Sequence, residues 1–283
     1  MAIKISIMNQ KGGVGKSTLV NILADNLRYI GRVLILDLDQ QNNQRTLLGV
    51  KDKSEKEHSA AGILLHGYRP ETAIIPATSN VDLISSGSKA IEGVDRSCKN
   101  QDESELLLKK RFASLEDKYD YILIDSNPTM NLIHANITCY ADYIIIPCDM
   151  EMLSFAATRS IIYFIESFSS KIKYPTAKIL GIVPIRFDPR RNVDDMILED
   201  LKVLEENDML SGGVIFPSLR ESSNMKTTQS RKKFLSDTFP KGKLTEDCKA
   251  LAESIIARIN ETGAKNSHQE SILQTQQSLT TQI

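Results

Sequence analysis

Short apolar runs, each closed by glycine or by carboxylates, recur along the chain. Residues 3–8 are apolar apart from Lys4 and Ser6 and lead into Asn9 and a glycine-rich stretch; 32–39 ends in Asp37 and Asp39; 119–125 ends in Asp125; 142–147 and 177–185 follow. Continuous apolar runs of this length predict strands buried on both faces. Between them the spacing changes to that of helices. Leu19, Ile22, Leu23 and Leu27 recur at intervals of three and four and predict a helix over 16–31 with Gly31 as its C-cap. A second helix is predicted over 153–168, and a last one over 244–259, with Leu251, Ile255 and Ile259 on one face. The stretch between Asp39 and Tyr119 reads as shorter pieces: two helices within 46–67 separated by a charged turn at 51–57, a strand pair at 72–77 and 81–84, and a mostly helical segment over 88–115 broken at 99–102. Alternating strands and helices predict an α/β fold: a doubly wound, mostly parallel sheet with helices on both faces. Ligands of such sheets lie beyond the carboxyl ends of the strands.

That edge carries the chemistry. Residues 9–18 read Asn-Gln-Lys-Gly-Gly-Val-Gly-Lys-Ser-Thr, between the first strand and the first helix. Gly12, Gly13 and Gly15 carry no Cβ, so backbone N–H groups can close around an anion while the helix N-terminus points at it. Lys16 can reach the β- and γ-phosphates of a nucleotide, and Ser17 offers a hydroxyl to Mg²⁺. These are the jobs of a P-loop, in a variant form: Gln10 stands where glycine is usual, and a second lysine, Lys11, follows it. A long side chain there could extend across a two-fold axis to a partner's nucleotide. Asp37 and Asp39 share one side of their strand end, where one carboxylate can approach a metal's water shell and the other the γ-phosphate. Asp125 ends its strand as a carboxylate that could hold Mg²⁺ through a water, opposite Ser17.

The stretch from Lys11 to Thr18 resembles, residue for residue, the KGGVGKS/T signature of the deviant-Walker ATPases, the ParA/MinD family. Residues 37–41 resemble its DxDPQ box with Gln40 in place of proline, and 119–129 resemble its Walker B segment with Asn127 in place of the first proline. Residues 181–188, GIVPIRFD, are similar to the strand of the ParA branch, and 214–217 to a short strand whose proline region borders the adenine, which makes Pro217 a candidate nucleotide contact. The resemblance covers roughly residues 1–260. It implies ATP and Mg²⁺ as cofactors, held by Gly12, Gly13, Val14, Gly15, Lys16, Ser17, Thr18 and Asp125. It also implies an ATP-dependent homodimer in which Lys11 acts across the interface, Asp39 orienting the attacking water, and Asp37 supporting the Mg²⁺ shell. A ParB-like partner would stimulate hydrolysis, and the closed dimer would bind double-stranded DNA non-specifically.

Charge and composition narrow this reading without changing it. Lys and Arg number 35 against 36 Asp and Glu, a net charge of -1, so contact with DNA requires a local patch. Arg220, Lys226, Arg231, Lys232, Lys233, Lys241 and Lys243 form one with few acids among them, and Arg186, Arg190 and Arg191 could join it in space. Non-specific binding needs only phosphate neutralisation, and no base-reading motif is present. Four scattered cysteines without a CxxC pair argue for reduced thiols in a cytoplasmic protein and against zinc or iron–sulfur ligation, and the resemblance to ParA implies association with the nucleoid. His58 and His66 stand alone and read as solvated. Residues 261–283, rich in Gln, Ser and Thr, are expected to form a disordered tail, without the basic amphipathic character of a membrane-binding helix. Two rival readings remain open here: a positioning switch of the same fold acting on a protein scaffold or membrane, as in the MinD branch, and a metabolic P-loop enzyme such as an amidoligase.

Overall fold

The computed structural model describes residues 1–50 and 58–280; the charged turn expected at 51–57 lies outside them, as do the last three residues of the expected tail. The strands are β1 (Ile3–Ile7), β2 (Val33–Asp37), β3 (Ile75–Thr78), β4 (Val81–Ile84), β5 (Tyr121–Asp125), β6 (Tyr143–Asp149), β7 (Lys178–Phe187), β8 (Val214–Ile215) and β9 (Leu219–Arg220). They form one sheet in the order β3-β4-β2-β5-β1-β6-β7-β8, with β9 also paired to β7. Only β3 and β4 pair antiparallel. The helices are α1 (Lys16–Leu27), α2 (Asn43–Leu47), α3 (Ala60–His66), α4 (Glu92–Cys98), α5 (Leu107–Phe112) and α6 (Leu132–Tyr140). They continue with α7 (Met152–Ser169), α8 (Asn192–Glu206), α9 (Ser223–Arg231), α10 (Leu235–Thr238) and α11 (Lys243–Thr280).

Side chains of a strand alternate between faces, so an apolar run with no polar gaps needs two covers. β2 shows how both are met. Leu34 and Leu36 enter a core closed by α3, α5, α6 and α7, while Val33 and Ile35 enter a second core closed by α1 and α11. Each fully buried Leu or Ile contributes about 1.5–3 kcal/mol relative to an exposed one. The second core is locked at its rim by Arg28, which lies 4.6 Å from the Phe234 ring and donates to Asp237 at 2.6 Å, and by Asp25, which accepts from the Ser236 hydroxyl at 2.6 Å. These bonds fasten α10 to the end of α1.

The expected doubly wound sheet is present, with differences at the boundaries. The first helix stops at Leu27 rather than at Gly31, because the last residues before β2 turn back to meet Asp120, whose carboxylate accepts from the Arg32 N–H at 2.7 Å. The last helix continues to Thr280, through most of the segment expected to be a tail: beyond Gly263 the sequence holds no glycine or proline to stop it. Helices α6 and α8, which the apolar spacing did not single out, complete the first core.

At the edge strands, β8 reaches β7 only where there is no side chain. A Cβ on Gly181 would lie 2.1 Å from the Val214 carbonyl oxygen and 2.7 Å from the Phe216 ring. Gly181→Ala is therefore expected to cost about 1–3 kcal/mol through forced separation of β7 and β8, read as a lower urea midpoint with an unchanged slope; an unchanged midpoint would show that β8 moves away freely.

Candidate active site

Register brings three strand ends to one level. Ile7 and Asp37 both sit opposite Asp125, so the ends of β1 and β2 flank that of β5. The glycine-rich loop leaves β1 here, and it is held from below before any ligand arrives. The Asn9 side chain donates to the Pro147 carbonyl at 2.8 Å and accepts from the Lys11 N–H at 2.9 Å. Gly13 and Gly15 take positive φ, 73° and 88°, and a Cβ on Gly15 would also meet Ile185 at 2.7 Å. The first turn of α1 has no side-chain cap and no acidic residue, which leaves its N–H groups for an anion. Lys16 is buried and its Nζ donates to the Lys11 carbonyl at 3.2 Å. Burial lowers its pKa, opposed by Asp125 and Asp39.

Opposite the loop lie the carboxylates. Asp37 is fully buried, and its two oxygens accept from the backbone N–H groups of Asp39 at 2.9 Å and Gln44 at 3.1 Å. It shapes the turn after β2. Burial, then the neighbouring Asp125, raises its pKa well above the usual carboxylate value. Asp39, whose charge acts on Lys16, accepts from the Gln41 N–H at 2.9 Å. Asp125 is fully buried, and burial pushes its pKa up to about 6 against the opposing influence of the Gln44 hydrogen bond and the nearby Ser17 hydroxyl. Its Oδ1 has no hydrogen-bond partner, an acceptor suited to a hydrated cation next to the Ser17 hydroxyl. Among the described residues no group of three His, Cys, Asp or Glu could cage a metal unaided. One carboxylate and one hydroxyl, completed by phosphates and water, are what Mg²⁺ asks of a nucleotide site.

Lys11 is tied within its own chain. It pairs with Glu151 and lies 4.0 Å from Asp149. Arg186 pairs with the same Asp149 and donates to the Gly13 carbonyl at 3.1 Å, so a chain of charges joins the loop to the start of α7. A cleft of about 690 Å³ opens beside the loop, with Leu19, Ile185, Leu219 and Met225 as apolar walls and Glu221 and Lys226 among its polar lining. Pro217 is not part of it. The residue stands exposed in the link from β8 to β9, and the cleft is met two residues later at Leu219, where β9 pairs with β7.

The basic residues separate into two sets. Arg220 is engaged by Asp247, Arg191 by Glu221 and Arg190 by Asp188. Lys226 lines the cleft. Arg231, Lys232, Lys233, Lys241 and Lys243 are exposed and carry no ion pair among the described residues. Gln44 and Gln229 are site residues that spacing did not reveal: Gln44 donates to Asp125 and to the Ser17 carbonyl, and Gln229 donates to the Thr18 hydroxyl at 3.1 Å. His58 contacts the Thr72 carbonyl at 3.0 Å and His66 packs on Tyr68, so neither joins the site. No described helix is long and apolar enough to cross a membrane.

The Asp125 environment sets a sign for stability. Its folded pKa lies above the unfolded carboxylate value of about 3.9, so the folded state holds the extra proton between those values. The stability it contributes is full below about pH 4 and is lost as pH rises through about 6. Asp125→Asn is therefore expected to be more stable than the native chain at pH 7.5 by on the order of 2–3 kcal/mol, a gap that narrows steadily from pH 6 to pH 4. Thermal melts in EDTA without nucleotide across that range measure it; a gap independent of pH would contradict the assignment.

Comparison with known proteins agrees with this geometry. A family model described as an AAA domain matches residues 2–178. An uncharacterised protein of Methanocaldococcus jannaschii is 33% identical over 214 residues, covering 72% of this chain and 81% of that protein. The chromosome partitioning protein ParA of Myxococcus xanthus is 28% identical over 199 residues, covering 70% of each. Among solved structures, apo McdA of Cyanothece shares the fold with a TM-score of 0.80 at 22% identity, over 90% of this chain and 100% of that one. The family model spans more than half of the chain and includes the loop, β2 and β5 that build the site, and together with the similarity to ParA and to the Soj protein of Bacillus subtilis, 30% identical over 70% of this chain and 78% of that protein, it shows that the chain belongs to the ParA/MinD family of P-loop ATPases.

Proposed function

We propose that this chain is a partition ATPase whose two copies close on Mg²⁺·ATP, bind duplex DNA without sequence preference, and release it on hydrolysis stimulated by a ParB-like partner. The cargo would be a plasmid, a chromosome region or a protein assembly carried over the nucleoid. One observation carries this reading. Helix α9 lines the nucleotide cleft with Ser223, Met225 and Gln229, holds Thr18 through Gln229, and delivers Arg231, followed by Lys232 and Lys233, to solvent at its other end. A single helix thus joins the phosphate loop to unpaired cations. The partitioning name of the Myxococcus relative agrees with it.

In this scheme the loop amides and Lys16 bind the β- and γ-phosphates, and the apolar cleft takes the base. Ser17 and Asp125 would hold Mg²⁺, which neutralises phosphate charge as the bond to the leaving group breaks. Asp39 orients the attacking water, and Asp37 supports it through the turn they share. Lys11 leaves Glu151 and Asp149 to reach the partner's phosphates. That exchange of partners makes dimerisation dependent on a triphosphate. Among the candidates, Arg231, Lys232, Lys233, Lys241 and Lys243 are exposed and need give up no ion pair to meet a phosphate, whereas Arg220 would first leave Asp247.

Retention of a random duplex is expected to require ATP, to be absent with ADP, and to fall steeply with salt. Replacing Lys232 and Lys233 together by alanine should lower the slope of log affinity against log salt by about 2, one for each phosphate no longer neutralised. Equal binding by the double variant would move the DNA surface elsewhere; no binding by the native chain despite ATP-driven dimerisation would favour a protein scaffold. For the cross-subunit role, Lys11→Ala should bind ATP within a few-fold of the native chain yet stay monomeric in light scattering with ATP. A variant that still dimerises would exclude that role.

A further inference from the structure

Two buried acceptors beside Ser17 lack a donor. Asp125 Oδ1 and Gln44 Oε1 make no hydrogen bond, although both residues are wholly excluded from solvent. The two side chains are bonded to each other. Gln44 Nε2 donates to Asp125 Oδ2 and to the Ser17 carbonyl, each at 2.8 Å. The Ser17 carbonyl and the ionised Asp125 carboxylate can only accept, so the amide turns its NH₂ towards them, and Oε1 has no donor among the described residues. A buried oxygen without a donor is costly, and two on side chains bonded to each other, one of them a carboxylate, call for a species that brings protons and positive charge together. An anion would be repelled by Asp125, and a neutral donor would leave its charge uncompensated. A hydrated divalent cation meets both needs, since its water shell presents hydrogens outward.

The local fold puts Gln44 in this position. Asn42 adopts a left-handed conformation with φ of 53° and opens α2, and the Asp37 carboxylate draws the Gln44 N–H into the turn at 3.1 Å. Since Asp37 sits opposite Asp125 across the sheet, the same turn hands the Gln44 side chain to Asp125. We propose that Gln44 is a positioning residue of the Mg²⁺ site: its Nε2 fixes Asp125 and the Ser17 turn, and its Oε1 accepts a proton of the ion's water shell. The proposal rests on the reading of Ser17 and Asp125 as the residues that hold the ion. It adds a side chain that lies 27 residues from one of them and 81 from the other.

Binding of fluorescent N-methylanthraniloyl-ADP, titrated with Mg²⁺ and repeated in EDTA, tests it on the full chain. Gln44→Leu, close to Gln in volume but without polar atoms, should bind the analogue in EDTA within about twofold of the native chain. It should need about tenfold more Mg²⁺, or higher still, to reach the half-point of magnesium-dependent tightening, the usual scale for losing an outer partner of a metal ligand. Gln44→Asn keeps both the donor and the acceptor on a side chain one carbon shorter and should recover part of the magnesium response. A Gln44→Leu titration that overlays the native one overturns the proposal. So does an equal loss in EDTA and in Mg²⁺ by both variants, which would make Gln44 a packing residue only. If the native chain itself shows no magnesium-dependent tightening, it is the reading of Ser17 and Asp125 that fails.

Discussion

Keeping ionisable groups out of water at the carboxyl edge of a parallel sheet is the constraint on which the rest of this structure depends. Lys16, Asp37, Asp39 and Asp125 are all buried, and the chain meets only part of their demand for partners. Burial pushes Lys16 towards its neutral form and pushes Asp37 and Asp125 the same way. Each is held in a state that phosphate and a cation would relieve. A phosphate and a cation bound here would offset the unfavourable solvation of these buried groups.

Such an edge is possible only because the sheet beneath it is rigid. β1, β2, β5 and β6 are adjacent, parallel and covered on both faces, so their ends cannot drift apart without opening two cores at once. The weaker pairings lie at the margins, in the antiparallel β3–β4 pair and the two-residue strands β8 and β9. That placement gives precision to the phosphate end of the site and latitude to the base end. It also places α9, tied to α1 through Gln229 and Thr18 and packed on α10, as an element able to report what the cleft contains.

Most of this was legible where chemistry and local pattern coincide. The glycine loop, the β2 and β5 carboxylates and the alternation that builds the sheet all follow from residues adjacent in sequence. What stayed hidden depends on distant partners. Nothing around Gln44 announces that its amide meets Ser17 and Asp125. The seven-residue basic cluster did not show that Asp247 neutralises Arg220, because acid and base come from β9 and α11. Pro217 was a matter of register: with β8 ending at Ile215 and β9 resuming at Leu219, the chain swings outward at the proline. Helix boundaries also moved, since Gly31 yields to the Asp120 contact and Gly263 does not interrupt α11.

The bond from Arg186 to the Gly13 carbonyl has a consequence for binding. Arg186 is itself in a left-handed conformation, φ 57°, at the end of β7, and it joins the loop to the base of α7 through Asp149. With Asn9 holding the other side, the phosphate loop is fixed by the chain's own bonds. Fixing a residue's backbone costs about 1–2 kcal/mol of entropy, and here the cost falls on folding. Encounter with a nucleotide then requires little search over loop conformations, so binding energy is not spent on ordering the loop.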